Sequence, residues 1–312
     1  MNAKKKVRAG IGRKSAPFLF IAPFFLTYIV FGLFPVLYSF VLSLTDQVFL
    51  SEPNFIGLAN YISLAQDPLF HRAIINTLIY AVGHMPAALV CAFFISYALY
   101  SPLVKGKRFL QLGMFLPNLV IPMAVGLLFA FLFSWQAGAV NPILQGLGII
   151  EEPVNWLGTA TPARFVLIFL LFWRSVGFMS IFMLAGLSAI DESLLESADI
   201  DGARMHHKIR YIIIPSLRLV FMFLILTGII GSLQLFDEPR LLYTRGGPAT
   251  GTQLGPRGVG LTAVFYIVVM GFGTRMETGY AASIAYGLFI IILILTLIFR
   301  KLLSSKDGDN II

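Results

Sequence analysis

The chain holds almost no cysteine. Cys91 stands alone among 312 residues, which excludes an intramolecular disulfide and any cysteine-cluster metal site. Charge is also scarce. Asp, Glu, Lys and Arg together make 12% of the chain, about half of what a soluble domain carries. No G-x-x-x-x-G-K-[ST] occurs, so the usual loop for cradling ATP is missing, and neither G-x-S-x-G nor H-E-x-x-H is found. There is no internal repeat, low-complexity tract or second soluble domain.

What is abundant is apolar surface: 58% of the residues are hydrophobic, an excess that needs lipid rather than a larger core. A span takes about 20 mostly apolar residues. Six runs qualify, at 17–42, 73–100, 109–134, 165–188, 212–236 and 281–300. A further apolar stretch at 259–273 is short for a crossing at 1.5 Å per residue and reads as an interfacial or re-entrant helix. The expected fold is an all-α integral membrane protein of six transmembrane helices, with a short interfacial helix before the last. The N-terminus is basic, as in a signal peptide, but the run from Pro17 to Leu44 exceeds the roughly 7–15 apolar residues of such a leader. It reads as a retained span.

The formal charge of +8 does not point to nucleic acid, because the basic residues cluster at the ends of apolar runs. Lys4, Lys5, Lys6, Arg8, Arg13 and Lys14 precede the first span, and Lys105, Lys107 and Arg108 follow the second. Arg204, Lys208 and Arg210 precede the fifth, and Arg300, Lys301 and Lys306 follow the last. Six spans put all four groups on the cytoplasmic side; a seventh would move the last group outside. The expected organisation is a cytoplasmic N-terminus (1–16), a transmembrane unit (17–300) and a cytoplasmic tail (301–312). Outer loops fall at 43–72, 135–164 and 237–280, the last an exception to the charge rule, with Arg240, Arg245, Arg257 and Arg275 in it. Trp135 and Tyr243 read as outer-interface anchors. Pro86, Pro117, Pro122 and Gly177 read as helix interruptions.

Polar residues inside spans are the first functional candidates. Arg174, near the middle of the fourth run, costs at least about 2.5–3.5 kcal/mol to insert unless it faces water or a partner. An ion pair with Asp237 or Glu238 fits it as well as a cavity does. Phe178 lies four residues on, on the same helix face. Asn118 beside Pro117 must face protein or water. Gln234, with Phe236, Asp237 and Glu238 just beyond, offers an amide, an aromatic face and carboxylates, a set suited to a sugar; helix–helix packing is the readier account of Gln234 and Phe236. Arg174 leaves both a neutral and an anionic ligand open. His84 reads as a helix–helix hydrogen-bonding residue.

The polar stretch at 189–210 raises a different question. Asp191 is a good helix cap, with Glu192 in the first turn. Leu194, Leu195 and Ala198 make one side of a short helix apolar, Glu196 and Asp199 add acid, and Asp201-Gly202 ends it. A helix with small residues and a fixed acid suits a socket on a partner, and an ordinary amphipathic connector fits the same pattern. The adjacent pair His206-His207 does not share a face and is a poor metal site.

The words ESADIDGA and IIIP in this stretch resemble the EAA loop of binding-protein-dependent ATP-binding cassette importers, E-A-A-x-x-D-G-A followed by Pro thirteen residues after the Gly. Glu196, Ala198, Asp201, Gly202, Ala203 and Pro215 match, and Ser197 departs from the first Ala. FIGLANYISLAQDPLFHRAIINTLIY (55–80), WRSVGFMSIFMLAGLSAI (173–190), SLQLFDEPRLLYTRGGP (232–248) and GYAASIAYG (279–287) resemble carbohydrate permeases of the maltose and glycerol-phosphate group. The resemblance implies that residues 192–201 form a coupling helix seated in a cytoplasmic ATPase. It implies a bacterial inner-membrane assembly with a second homologous permease, two ATPase subunits, an extracytoplasmic solute-binding protein and a carbohydrate substrate. ATP and Mg would sit on the ATPase, and this chain would bind no cofactor. A stand-alone secondary transporter is the main rival, though the inverted repeats common there are absent; an intramembrane enzyme is a weaker one, since its acids and His pair are loop residues without metal spacing.

Overall fold

The computed structural model describes residues 16–244 and 254–304. The basic residues at 4–14, Arg245 with the rest of 245–248, and Lys306 lie outside them. The described residues are almost entirely helical, with one isolated β-bridge, Thr45 to Phe55. Helix α1 (Ala16–Tyr28) passes through a π-helical turn (Ile29–Leu33) into α2 (Phe34–Ser43). Then come α3 (Ala59–Gln66), α4 (Pro68–Tyr100), α5 (Lys107–Leu119), α6 (Pro122–Leu132), α7 (Val140–Gly146) and α8 (Ala160–Ser188). Next are α9 (Glu192–Ile200), α10 (Met205–Lys208), a second π-helical turn (Ile209–Ile213), α11 (Ile214–Ser216) and α12 (Arg218–Leu233). The described residues end with α13 (Asp237–Thr244), α14 (Ala263–Phe272) and α15 (Thr278–Ser304).

Local chemistry sets several of these boundaries. Asp67 caps α4, accepting the Leu69 N–H at 2.8 Å, with Pro68 at the first helical position where its missing N–H costs nothing. Each π-helical turn lies just before a proline, Pro35 and Pro215. A proline ring crowds the carbonyl four residues back, here Phe31 and Tyr211, and the wider turn relieves that clash.

Among the described residues, four helices are long and apolar enough to cross a membrane alone, and counting each of two bent pairs as one span brings the number to six. The bent pairs cover the runs expected at 109–134, where Pro122 is an expected interruption, and at 212–236. Helices α5 and α6 meet at 95°, because Ile121 precedes Pro122 and is driven into an extended conformation with Val120. The pair before and after Leu217 meets at 63°. Pro86, Pro117 and Gly177, expected as interruptions, lie inside continuous helices; only Pro122 stands at a break.

Helix α8 is the centre of the bundle and packs along α4, with Leu167, Leu170 and Met183 fully buried. The stretch 237–280, expected as an outer loop, instead supplies core. Leu242 and Tyr243 are buried, as are Val259, Ala263 and Phe265. Tyr243 is therefore no interface anchor: its hydroxyl donates to the Ala163 carbonyl at 2.9 Å. The short helix α14 is present but is packed against α4 and α15. Helices α1 and α2, by contrast, bury almost nothing within the chain, so their apolar surface faces lipid or another subunit.

Candidate functional site

Two features answer to the candidates read from the sequence. The first is a cavity of about 500 Å³ among α4, α5, α8, α12 and the start of α13. The structure brings all six membrane candidates to its wall: Asn118, Arg174, Phe178, Gln234, Phe236 and Asp237. The local folding explains how. The break after α5 turns the chain beside Asn118 and Pro122 toward α8. On α8, Arg174 and Phe178 are one turn apart. Helix α12 stops at Leu233, and residues 234–236 cross to α13 while Thr262 Oγ1 donates to the freed Leu235 carbonyl at 2.6 Å.

Arg174 forms an ion pair with Glu238, whose side chain is 8% exposed. Glu238, expected both among the carboxylates beyond Gln234 and as a partner for Arg174, is part of the wall. Its place depends on Gly126 of α6, where a Cβ would stand 2.8 Å from the Glu238 carbonyl oxygen. The guanidinium is not used up: its Nε is buried without a hydrogen-bond partner. His84 also lines the cavity, with Nδ1 2.6 Å from the Tyr80 carbonyl, so Nδ1 carries hydrogen and Nε2 remains as the ring's other polar atom. Phe236 is held between the Phe265 ring, 5.8 Å away, and the Arg240 guanidinium, 5.4 Å from its centroid. Packing and cavity lining thus coincide there.

The second feature is α9. Asp191 caps it by accepting the Ser193 N–H at 3.0 Å, and that bond holds its carboxyl below the ordinary value. The helix ends in a Schellman motif: Ala203 N–H reaches the Ala198 carbonyl at 2.8 Å, and Gly202 N–H the Asp199 carbonyl at 3.0 Å. Gly202 has φ +73°, a left-handed conformation that glycine adopts freely. Asp199 pairs with Lys208. Leu195 and Ala198 turn toward the bundle, but Leu194, expected on the same face, is 52% exposed and Ile200 is 87% exposed. Of the remaining matched residues, Ala203 is half-buried, Glu196 and Asp201 are exposed, and Pro215 stands just past the π-helical turn. The helix thus offers an unsatisfied apolar rim beside free acids.

A family model described as "Binding-protein-dependent transport system inner membrane component" matches residues 85–306, more than half of the chain. The chain belongs to that family. It is a permease component of an ATP-binding cassette importer, with a multi-pass place in the inner membrane. Among similar proteins, the arabinooligosaccharides transport system permease AraP of Bacillus subtilis (strain 168) is 33% identical over 96% of this chain and 91% of its own. The lactose transport system permease LacF of Rhizobium radiobacter is 34% identical over 93% of each. A bacterial transporter for import of the acidic polysaccharide alginate shares the fold, with a TM-score of 0.79 at 23% identity, covering 96% of this chain and 98% of that one.

Another cavity, of about 560 Å³, lies between the 46–48 loop, α3 and α14–α15. Asp67 lines it and accepts hydrogen bonds from Tyr266 and, at 2.7 Å, Tyr280. Burial raises its carboxyl, but those hydroxyls and the Leu69 and Phe70 N–H groups outweigh it, so the net shift is downward. Nothing in the sequence singled out this network, whose members are distant along the chain.

Proposed function

We propose that this permease forms one half of the translocation path of an ATP-driven carbohydrate importer. The cavity at Arg174, Gln234 and Asp237 takes the solute, and α9 is the handle by which the ATPase drives the bundle. The observation that carries this reading is convergence: six residues from three helices and the link between α12 and α13 line a single cavity. An amide, an aromatic ring, a guanidinium and carboxylates meet the donors, acceptors and apolar face of a sugar. The names of AraP and LacF support a saccharide substrate.

In this reading the working complex holds a second, similar permease, two ATPase subunits that bind ATP and Mg, and an extracytoplasmic solute-binding protein. Both termini of this chain lie in the cytoplasm, with α9. Closure of the ATPase pair favours one bundle conformation by binding it better than the other, and that difference in affinity supplies the energy for alternating access. Glu196 and Asp201 present acid to the socket, Ala198 and Ala203 seat α9 against the bundle, and Pro215 fixes the joint to the fifth span.

The test is reconstitution of the complete complex in proteoliposomes. Solute-loaded binding protein stimulates ATP hydrolysis and drives uptake of labelled saccharide. Solute flux through this chain purified alone, with no ATPase, would instead indicate a secondary transporter.

A further inference from the structure

The charged and titratable residues on the wall of the substrate cavity are His84, Arg174, Asp237 and Glu238. Two carboxylates therefore face one guanidinium. Glu238 is largely buried within the bundle, lines the cavity and pairs there with Arg174. Gly126 lets α13 press against α6, which holds the Glu238 backbone in place. The pair is thus built into the packing rather than formed by a mobile surface side chain.

Such a pair changes what the cavity can accept. An unpaired guanidinium binds carboxylate through parallel hydrogen bonds, and would favour an acidic sugar. With Glu238 engaged, that charge is cancelled at its source, and Asp237 leaves the wall net negative. A carboxylate-bearing saccharide entering this space loses hydration and meets repulsion. The hydroxyls of an uncharged sugar do not. The Arg174 Nε–H is buried and not offered to the cavity; Asp237 supplies acceptors, and the Gln234 amide both a donor and an acceptor.

Resting on the reading of this cavity as the solute path, we propose that Glu238 is its specificity-determining residue: by neutralising Arg174, it makes the passage one for uncharged saccharides and closes it to anionic ones.

The assay uses the complete complex in nanodiscs, with Cys91 replaced by Ala and Ser175, which lines the cavity, replaced by Cys as a reporter. Rates of modification by an anionic and a cationic methanethiosulfonate of similar size report the local potential. Glu238→Gln keeps the shape and removes the charge, and raises the anionic-to-cationic rate ratio by about tenfold. Arg174→Gln lowers the ratio, and the double variant returns it toward the starting value. Should Glu238→Gln fail to assemble, the exchange Arg174→Glu with Glu238→Arg restores the pair and leaves the ratio near wild type. In parallel, maltotriose and trigalacturonate are titrated directly onto the complex. The wild type favours the uncharged probe, and Glu238→Gln moves the preference toward the acid by at least tenfold. An unchanged rate ratio in Glu238→Gln, or a wild type that prefers trigalacturonate, overturns the proposal. Failure of the wider reading looks different: binding protein would then not stimulate the wild-type ATPase at all.

Discussion

Substitution of Gly202 separates the two things that this residue does. Its φ of +73° strains any residue bearing a Cβ by about 1–2 kcal/mol, with Asn the best tolerated. A Cβ built there meets nothing within 4 Å. Inside this chain, therefore, the size of the new side chain adds nothing to the strain. Gly202→Ala and Gly202→Trp should weaken the Schellman cap alike, by about 5–30-fold in the local equilibrium, and Gly202→Asn by less. Hydrogen exchange at Gly202 and Ala203, whose N–H groups close the cap, measures this in the permease alone. In the complete complex the prediction diverges. If the ATPase approaches Gly202 closely, Trp abolishes ATPase stimulation by loaded binding protein, Ala leaves a measurable part, and Asn is close to wild type. Equal stimulation in the Ala and Trp variants would refute the claim that a partner surface sits against this turn. Only the strain would then matter.

Three further outcomes follow from the packing. Gly126→Ala drives a methyl group into the Glu238 carbonyl, 2.8 Å away, and should lower stability by about 1–3 kcal/mol, read as a lower melting temperature of the detergent-solubilised protein. Asp67 has a folded carboxyl below its usual value of 3.8, so its ionised form stabilises the fold above that pH, and the contribution is lost as pH falls through the lower folded value. Unfolding midpoints measured from neutral to acid pH should show this loss in the wild type and not in Asp67→Asn; parallel curves would mean the tyrosine network adds nothing. Asn141 Oδ1 accepts the Val154 N–H at 3.1 Å and the Trp156 Nε1–H at 2.8 Å, so Asn141→Ala should cost about 1–3 kcal/mol and speed hydrogen exchange across residues 150–158.

Where a boundary is set by short-range chemistry, the sequence showed it directly. Asp191 and Gly202 bracket a helix read at 192–201 and found at 192–200, because a cap needs only its own few residues. The apolar runs were equally plain, since lipid imposes their length. Direction was not legible in the same way. Hydropathy counts residues across 109–134 without registering that Ile121-Pro122 turns the chain by 95°. Three other positions were read as equivalent interruptions, yet a continuous helix absorbs Pro86 and Pro117, each of which removes a single hydrogen bond. Tyr243 and Glu238 illustrate a second limit. An aromatic and an acid beyond the end of a span read as residues of an outer loop. Their burial depends on α13 folding back onto α6, which rests on Gly126, more than a hundred residues earlier. No local pattern announces that contact.

The same geometry removes an apparent choice about Arg174. Ion pair and cavity lining were alternatives only while the residue was considered alone. A guanidinium has five N–H donors, and Glu238 engages one edge while Nε stays free. The pair also lies on a mechanical route. Helix α8 runs unbroken from Arg174 to Ser188, about 21 Å at 1.5 Å per residue, and Asp191 caps α9 just beyond. The other route from α9, toward Gln234, passes through a π-helical turn, Pro215 and a 63° bend at Leu217. A displacement of α9 thus reaches Arg174 along a rod and Gln234 only through a joint. Glu238 stands on α13, clasped by α6 rather than by α8. When α8 moves against that pair of helices, the Arg174–Glu238 separation must change with it. If α9 is the ATPase's handle, as proposed, the side chains proposed to set the charge of the cavity are also the ones placed to feel its movement.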